Sequence, residues 1–264
     1  VVGQLSSDLV ASMIRQAKSK NKKVLFRTTG TITFSDYDFI DSVDCFIHHS
    51  QKNVEQIEMR TKHKYVIIDQ CAYNEKSFFD IPFVNNKVTH FLTLARLEKE
   101  KNIDIVIKAF LKAKKENDVL YVVGDGTEIE NLKDIAKNEK NIIFTGFIKN
   151  NELQKYFSLV DCVIIPYYKL ETGPLTGIEA MAASRLIISA TTGAMQQRLP
   201  FNSYWFNNSI DELGEQILLI KDLTSEQVLT LSQKIRDRYM EEYSVENIGN
   251  QYLTIVHKIL NSCE

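Results

Sequence analysis

Two glutamates that lie eight positions apart, Glu171 and Glu179, carry the clearest chemical pattern in this sequence. An apolar run that predicts a strand, Cys162–Pro166, ends shortly before them, and apolar spacing predicts a helix over Leu175–Ala183. One carboxylate therefore precedes the helix, and the other lies about one turn inside it. Carboxylates in these positions can accept hydrogen bonds from the hydroxyl groups of a ligand.

The residues between the two glutamates predict an anion site at the start of that helix. Pro174 suits the first helical position, and Gly173 and Gly177 leave room for a ligand to approach the backbone. The amide groups of Thr176, Gly177 and Ile178 then have no acceptor within the helix. Amides flanked by two carboxylates fit a sugar nucleotide, with its pyrophosphate on the amides and its hydroxyls on the carboxylates.

Two cations follow another predicted strand. Arg96 comes directly after the apolar run Val88–Ala95, and Lys101 precedes a helix predicted over Ile103–Lys115. Cations on such a loop can converge on a diphosphate, arginine as a planar fork and lysine as a point charge. Alone, the charged run 98–101 favours a solvated loop. Together with the glutamates, it favours phosphate contact.

Composition limits the possible classes of protein. The chain has 264 residues, 44% hydrophobic and 25% charged, with a net charge of -2, which is typical of a globular protein without a broad surface for nucleic acid. No apolar run reaches the length of a membrane span, and no signal peptide is apparent. The cysteines form no Cys-x-x-Cys pair, so we expect reduced thiols, no metal and a cytoplasmic protein; they are Cys45, Cys71, Cys162 and Cys263.

Short β-branched runs alternate with amphipathic segments, which predicts an α/β fold with parallel sheets. Strands are predicted at 23–27, 45–48, 65–68, 88–95, 119–123, 142–144, 162–166, 186–189 and 204–206. Helices are predicted at 5–20, 51–60, 103–115, 128–137, 152–158, 175–183, 210–220, 225–243 and 245–260. We predict an N-terminal domain over 1–86, a C-terminal nucleotide-sugar-binding domain over 87–244, and a final helix over 245–264 that returns to the first domain.

The glutamate segment, followed by Ala180-Met181-Ala182, resembles the donor-site motif of retaining GT-B glycosyltransferases of family four. Gly173-Pro174 here replaces the Phe-Gly pair of that motif. The run from Arg96 to Lys101 resembles the family's Gly-Arg-Leu-x-x-x-Lys-Gly element. The resemblance implies two Rossmann-like domains, of which the C-terminal one is a complete doubly wound parallel sheet. The N-terminal one is incomplete, because the family's opening strand and Gly-rich loop are not apparent.

The resemblance also implies roles for these residues. Arg96, Lys101 and the amides at the helix start would hold the diphosphate, Glu171 the hydroxyls of the donor sugar, and Glu179 the ribose. The donor would be a nucleotide diphosphate sugar that acts as substrate, without cofactor or metal. The acceptor would be a sugar, a lipid-linked group or a protein. The basic cluster 15–23 could meet anionic lipid at the inner face of a membrane, but a solvated helix end is the favoured interpretation.

Two further loops border the donor pocket in the family. The resemblance implies that Gly124 and Gly126 let the ligand approach, and a tight turn explains the pair at least as well. Phe147 and Ile148 would bind and shield the nucleobase. An aromatic residue that is simply buried after a strand is an equally favoured interpretation. Main-chain readout of the base leaves uracil, guanine and adenine undistinguished.

Two N-terminal loops complete the candidates. Thr29 and Gly30 occupy the place where many relatives carry His-Gly, so the usual histidine is absent. The pair His48-His49 precedes Ser50, a suitable helix N-cap, and capping or cleft lining is favoured over metal binding. The predicted function is sugar transfer with retention in glycan or polysaccharide synthesis. The alternative is a non-catalytic sugar-nucleotide-binding module, and no oligomeric state is predicted.

Overall fold

The structure is a computed structural model that describes residues 2–3, 8–28, 30, 39–58, 62–137, 139–167, 171–191 and 193–261. Contacts between these residues group the chain into two compact units. Unit 1 draws on Val1–Gln70, Glu171–Gly173 and Val245–Glu264, and unit 2 on Cys71–Leu170 and Pro174–Ser244. The sequence prediction placed the first boundary after residue 86, whereas the contacts group residues 71–86 with unit 2.

Unit 1 contains a parallel sheet whose described strands run in the order β1-β2-β3-β4. Its elements, numbered in chain order through both units, are β1 (Val2–Gly3), α1 (Asp8–Ser19), β2 (Leu25–Thr28), β3 (Cys45–His48), α2 (Gln51–Glu58), β4 (Tyr65–Ile67) and α11 (Val245–Asn261). Strand β1 pairs with Arg27 and Thr28. The sequence prediction missed this opening strand, because two residues are too few to show a period.

Unit 2 contains six strands and eight helices within its described residues. The strands are β5 (His90–Leu94), β6 (Val119–Val123), β7 (Ile142–Gly146), β8 (Cys162–Ile165), β9 (Leu186–Ala190) and β10 (Trp205–Phe206). The helices are α3 (Glu75–Phe79), α4 (Ile103–Ala113), α5 (Ile129–Ala136), α6 (Leu153–Ser158), α7 (Leu175–Ala182), α8 (Met195–Arg198), α9 (Ile210–Asp222) and α10 (Ser225–Glu242). Helices α3 and α8 were not predicted, because each is shorter than two turns.

The six strands of unit 2 are parallel and run in the order β10-β9-β8-β5-β6-β7. Numbered within the unit, this order is 3-2-1-4-5-6, the doubly wound arrangement. The chain reverses its direction of travel across the sheet between β5 and β8. In such sheets ligands bind outside the carboxyl ends of the two strands at this switch point.

Strands β8 and β9 of unit 2 are buried on both faces, as central parallel strands require, whereas Ile143 of the edge strand β7 is exposed. Along β8, Cys162 and Ile164 join one apolar cluster, whereas Val163 and Ile165 join the other. Successive side chains thus face opposite sides of the sheet, each covered by helices. This burial explains why β8 reads as a continuous apolar run, and it holds the carboxyl ends of the strands in fixed positions.

Two buried arginines explain why residues 71–86 belong to unit 2. Arg236 donates from Nη2 to the carbonyl oxygens of Phe78 at 3.0 Å and Ile81 at 3.3 Å. Arg185 donates to the carbonyl oxygens of Val160 at 2.9 Å and of Pro82. These bonds fasten α3 and the residues after it to the rest of unit 2, whereas the sequence prediction assigned residues 71–86 to the N-terminal domain.

Three of the four cysteines lie within the described residues. Cys45, Cys71 and Cys162 are free thiols. Within the described ranges, no helix combines the length and the apolar character that crossing a bilayer requires.

A close backbone contact joins the loops that follow β5 and β6. Gly124 has a φ of +132°, and a Cβ there would overlap the carbonyl oxygen of Ala95. A Cβ on Gly126 would lie 2.5 Å from the carbonyl oxygen of Leu97. The Leu97 amide also donates to the Asp125 carbonyl at 2.9 Å. Both glycines are therefore needed for the two loops to touch, which is the turn interpretation of the pair.

Replacing Gly124 with alanine should lower the free energy of unfolding by roughly 2 kcal/mol or more, from overlap with Ala95 and a strained φ. Urea unfolding followed by circular dichroism measures the change. Gly249→Ala is the control, because a Cβ there meets nothing within 4 Å and the residue lies in α11. It should leave stability unchanged or raise it by up to about 1 kcal/mol. Equal stability of Gly124→Ala and the parent chain would contradict the prediction.

Candidate functional site

The carbonyl oxygen of Leu94, the last residue of β5, is a meeting point at the switch point of unit 2. It accepts hydrogen bonds from the hydroxyl of Tyr167, which follows β8, and from Oγ1 of Thr176 at 3.3 Å. Thr176 lies in the first turn of α7. The ends of β5 and β8 and the start of α7 are therefore joined through one carbonyl group.

Of the two predicted cations, Lys101 is held at this place. Its Nζ lies 4.5 Å from the centroid of the Tyr167 ring, a cation–π contact. Arg96 is exposed over 74% of its side chain, and its Nη2 lies 4.0 Å from Oε1 of Glu100. A surface pair of this kind contributes little to stability, so the guanidinium can exchange that partner for a ligand at small cost.

The start of α7 differs from the prediction in two respects. Pro174 is the N-cap with an extended ψ of 128°, and Leu175 is the first helical residue. The amide of Gly177 donates to the Pro174 carbonyl at 3.2 Å, so it is not among the unpaired donors. The same carbonyl accepts from Nη1 of the fully buried Arg198 at 2.6 Å. The anion site predicted from three consecutive amides therefore loses the Gly177 amide.

Gly177 also has a different role from the one predicted. A Cβ at this position would overlap the sulfur atom of Met195 and lie 3.4 Å from Cδ1 of Ile165. The missing side chain is thus replaced by Met195. Gly177 serves the packing of α7 rather than the approach of a ligand.

Glu179 is the most unusual ionisable group of α7. The residue is 5% exposed, and burial raises the pKa of its carboxyl to about 7. Among the described residues, no side chain or amide forms a hydrogen bond or ion pair with this carboxyl. Glu179 lies three residues after Thr176, so both side chains share one face of the helix. A desolvated carboxyl without a partner, close to a switch point, is typical of a binding or catalytic site.

The two residues proposed to meet a nucleobase behave differently. Phe147 follows β7 and is 74% exposed, whereas Ile148 packs partly against the core of unit 2. The loop that carries them adjoins the β6 loop, because the amide of Gly124 donates to the Gly146 carbonyl at 3.0 Å. Of the pair, Phe147 has the exposed ring surface that base stacking requires.

Glu171 and Gly173 are grouped with unit 1 rather than with α7. The Gly173 amide donates to Oε1 of Glu171 at 3.3 Å. Thr172 lies between them, and its Oγ1 shares a hydrogen bond of 2.9 Å with Nε2 of His49. Nε2 of Gln70 donates to the Gly173 carbonyl at 3.4 Å. Sequence proximity to the helix therefore gave no indication of the contacts that hold this tripeptide.

The remaining N-terminal candidates lie at the carboxyl ends of β2 and β3. The Gly30 carbonyl accepts from Nδ2 of Asn53 at 2.8 Å, and Thr29 lies outside the described residues. Ser50 caps α2, because its Oγ accepts from the Asn53 amide at 3.3 Å. Within the part of the chain that the structure describes, no cluster of three or more His, Cys, Asp or Glu side chains could hold a metal ion.

Sequence reasoning missed three residues at these sites, namely Tyr167, Thr172 and Arg198. Tyr167 had a usable signal, since it directly follows an apolar run that predicts a strand, and strand ends meet at one edge of a parallel sheet. The contacts of Thr172 and Arg198 join residues that are distant in sequence, and no local pattern marks them.

Comparison with known proteins shows the family to which the chain belongs. The family model described as glycosyl transferases group 1 matches residues 74–236. Alpha-monoglucosyldiacylglycerol synthase of Streptococcus pneumoniae is 29% identical over 170 residues, which are 61% of this chain and 36% of that protein. The synthase of the same name from Acholeplasma laidlawii is 29% identical over 177 residues, 63% of this chain and 44% of that protein. The chain thus spans less than half the length of these two curated relatives.

Solved structures support the fold. The structure of Anabaena Alr3699/HepE in complex with UDP superposes with a TM-score of 0.78 at 15% identity, covering 94% of this chain and 76% of that one. At this identity the likeness concerns the fold alone, and it confirms the predicted fold class. The chain has the GT-B type of α/β fold and belongs to the family of glycosyl transferases group 1.

Proposed function

We propose that this protein transfers a sugar from a nucleoside diphosphate sugar to an acceptor hydroxyl, with retention of anomeric configuration and without a metal ion. The observation that carries the proposal is the buried, unpartnered carboxyl of Glu179 on α7. Two hydroxyl groups of a ribose are donors that such a carboxylate can accept from. Their hydrogen bonds would compensate its desolvation, which is why an apolar ligand would not suit this position.

The diphosphate of the donor is assigned to the switch point of unit 2. Positive charge comes from Lys101, which packs on the Tyr167 ring, and from the exposed guanidinium of Arg96. The first turn of α7 supplies hydrogen-bond donors. During transfer, the bond between the anomeric carbon and the diphosphate breaks, and negative charge grows on the departing oxygen. Positive groups fixed in advance stabilise that charge without reorganisation.

Glu171 keeps the role implied by the motif that it resembles, contact with hydroxyl groups of the donor sugar. In the retaining course, the acceptor oxygen bonds to the anomeric carbon on the face that the phosphate leaves. The acceptor proton passes to the departing phosphate oxygen. The protein then contributes position and charge rather than a covalent intermediate.

The names of relatives suggest the nucleotide and the acceptor. HepE was solved with UDP, and two curated relatives are named for the synthesis of a glucosylated diacylglycerol. We therefore take UDP-sugars as the first donors to test and a lipid-linked hydroxyl as the first acceptor, with sugar or protein acceptors as alternatives. Work on a lipid acceptor would take place at the cytoplasmic face of a membrane, where the basic cluster 15–23 could contribute.

A second candidate function is a sugar-nucleotide-binding module without turnover. The observation that favours it is the pair Thr29-Gly30, which stands where many relatives carry His-Gly. Incubation with UDP-glucose and UDP-N-acetylglucosamine, followed by measurement of released UDP, separates the two. Binding with release of UDP supports the transferase, and binding without release supports the module.

Substitution of Glu179 should affect stability and affinity in opposite directions. The pKa of about 7 lies above the ordinary 4.5, so the folded chain is most favoured below pH 4.5 and loses stability as the pH rises through about 7. Glu179→Gln should therefore raise the free energy of unfolding at pH 8 by up to about 3 kcal/mol and change it little at pH 4. Urea unfolding at both pH values measures this.

The same variant should bind UDP-glucose about 10- to 100-fold more weakly at pH 8, because an ionised acceptor is lost. In the parent chain, affinity should fall as the pH drops below about 7, whereas in Glu179→Gln it should not. UDP-glucose is the appropriate probe, since its pyrophosphate is esterified at both ends and does not titrate near pH 6. Unchanged affinity in the variant would refute the assignment.

Lys101→Met should weaken UDP binding about 10- to 100-fold and leave uridine binding unchanged, because only the diphosphate meets the ammonium. Lys99→Met is the matched control, since Lys99 lies on the same 3-10 turn and is exposed. Isothermal titration with both ligands makes the comparison. Equal loss of uridine and UDP affinity would show that Lys101 supports the structure instead of the phosphate.

Retention and metal independence can be tested in one reaction. Proton NMR of the first product formed from an α-linked UDP-sugar should show the α-configuration, and EDTA should leave the rate unchanged. The sequence contains one Asp-x-Asp triplet, Asp36-Tyr37-Asp38, which lies outside the described residues. Loss of activity in EDTA, restored by Mg²⁺ or Mn²⁺, would overturn metal independence.

A further inference from the structure

The two adjacent histidines after β3 have separate surroundings within unit 1. His48 is fully buried, its Nδ1 lies 2.9 Å from Oγ1 of Thr28 and its Nε2 lies 2.8 Å from Nε2 of His63. Burial, with a contribution from the neighbouring His63 and His49, lowers the pKa of His48 to about 3. His48 is therefore neutral at physiological pH and belongs to the interior of unit 1.

His49 instead reaches the tripeptide that carries Glu171. Its Nε2 and Oγ1 of Thr172 are 2.9 Å apart, and the two residues are 2% and 1% exposed. Water is thus largely excluded from this hydrogen bond. A buried polar group that loses its partner keeps its desolvation cost, so each side chain strongly favours the geometry that satisfies the other.

Glu171 directly precedes Thr172 in the same tripeptide. Its Oε1 accepts from the amide of Gly173, the residue after Thr172, so the carboxylate is turned back over the tripeptide. Gln70 holds the carbonyl of Gly173 from the other end. Without its bond to His49, Thr172 would be free to shift as a whole residue. A shift of its backbone would move the Gly173 amide, which orients the Glu171 carboxylate.

We propose that His49 is a positioning residue for Glu171 and, through it, determines how strongly the protein recognises the sugar part of its donor. The proposal rests on the proposed function, in which Glu171 contacts the donor sugar. Ribose, diphosphate and base are assigned to Glu179, Lys101 and Phe147, and the donor sugar is assigned to Glu171. Loss of His49 should therefore weaken recognition of the sugar and spare recognition of the nucleotide.

The first measurement needs no ligand. In a ¹⁵N spectrum of the histidine side chains, Thr172→Val should shift the His49 Nε2 resonance, whereas Thr172→Ser, which keeps the hydroxyl, should leave it near its original position. Valine matches threonine in shape, so the core is preserved. If the chemical shift of His49 Nε2 stays the same in Thr172→Val, the proposal is overturned, whatever the ligand data show.

The second measurement compares affinities for UDP-glucose and UDP by calorimetry. In His49→Ala and in Thr172→Val, the ratio of UDP-glucose to UDP affinity should fall about three- to tenfold, as expected for one lost neutral hydrogen bond. UDP affinity itself should stay within about twofold, because the residues assigned to the nucleotide are unchanged in these variants. His49→Gln, which can restore a donor or acceptor near Nε2, should recover most of the ratio.

A double-mutant cycle with Glu171→Gln tests whether His49 acts through Glu171. The double variant should lose no more sugar recognition than Glu171→Gln alone, since the two changes then remove the same contact. His257→Ala, an exposed histidine on α11, is the matched control and should change neither affinity. Thermal unfolding checks that each variant folds.

The outcomes separate the proposal from the proposed function. If the parent chain binds neither UDP nor UDP-glucose, the proposed function fails and the positioning role fails with it. If the parent chain binds both and Glu171→Gln loses sugar recognition while His49→Ala does not, only the positioning role is overturned. Additive losses in the double variant would likewise overturn it, because His49 would then act independently of Glu171.

Discussion

The reversal of chain direction between β5 and β8 is the constraint on which the candidate site depends. Strands β5 and β8 are parallel neighbours, and their connections leave toward opposite edges of the sheet. No further strand among the described residues therefore covers the backbone carbonyl at the end of β5. In unit 2 that carbonyl belongs to Leu94, and Tyr167 and Thr176 supply its donors. The same bonds place the first turn of α7, and the Tyr167 ring places the ammonium of Lys101. The need of the Leu94 carbonyl for hydrogen-bond donors thus brings a cation and a helix terminus together.

At Glu179, the feature that suits ligand binding lowers the stability of the fold. A buried carboxyl with a raised pKa opposes folding whenever it is ionised, and nothing among the described residues of unit 2 offsets this. The rest of α7 is closely packed, as the contact of Gly177 with Met195 shows. The helix can therefore hold one unfavourable side chain in a fixed place, which is what recognition of a polar ligand requires.

The sequence was sufficient to predict the alternation of strands and helices, because buried parallel strands and amphipathic helices leave periodic patterns. It also indicated Glu179 and Lys101 as candidates by residue type and spacing, but not the contact of Lys101 with Tyr167. It was insufficient for Val2–Gly3, which is too short for a period, and for the Gly177 amide, which is satisfied by Pro174. The contact of His49 with Thr172 spans 123 positions, and no local rule connects residues so far apart.

The discontinuity of unit 1 has a consequence for the order of events during translation. Helix α11 belongs to unit 1, with Ile248 and Ile255 buried and Tyr252 beside Arg27 at 5.9 Å, yet it is synthesised after all of unit 2. The strands of unit 1 leave the ribosome before unit 2, and part of their apolar surface stays uncovered until α11 has been synthesised. Unit 2 can meanwhile close around its own strands. Synthesis of unit 1 therefore begins before that of unit 2 and ends after it, so the strands of unit 1 stay exposed to chaperones and proteases for longer than those of unit 2.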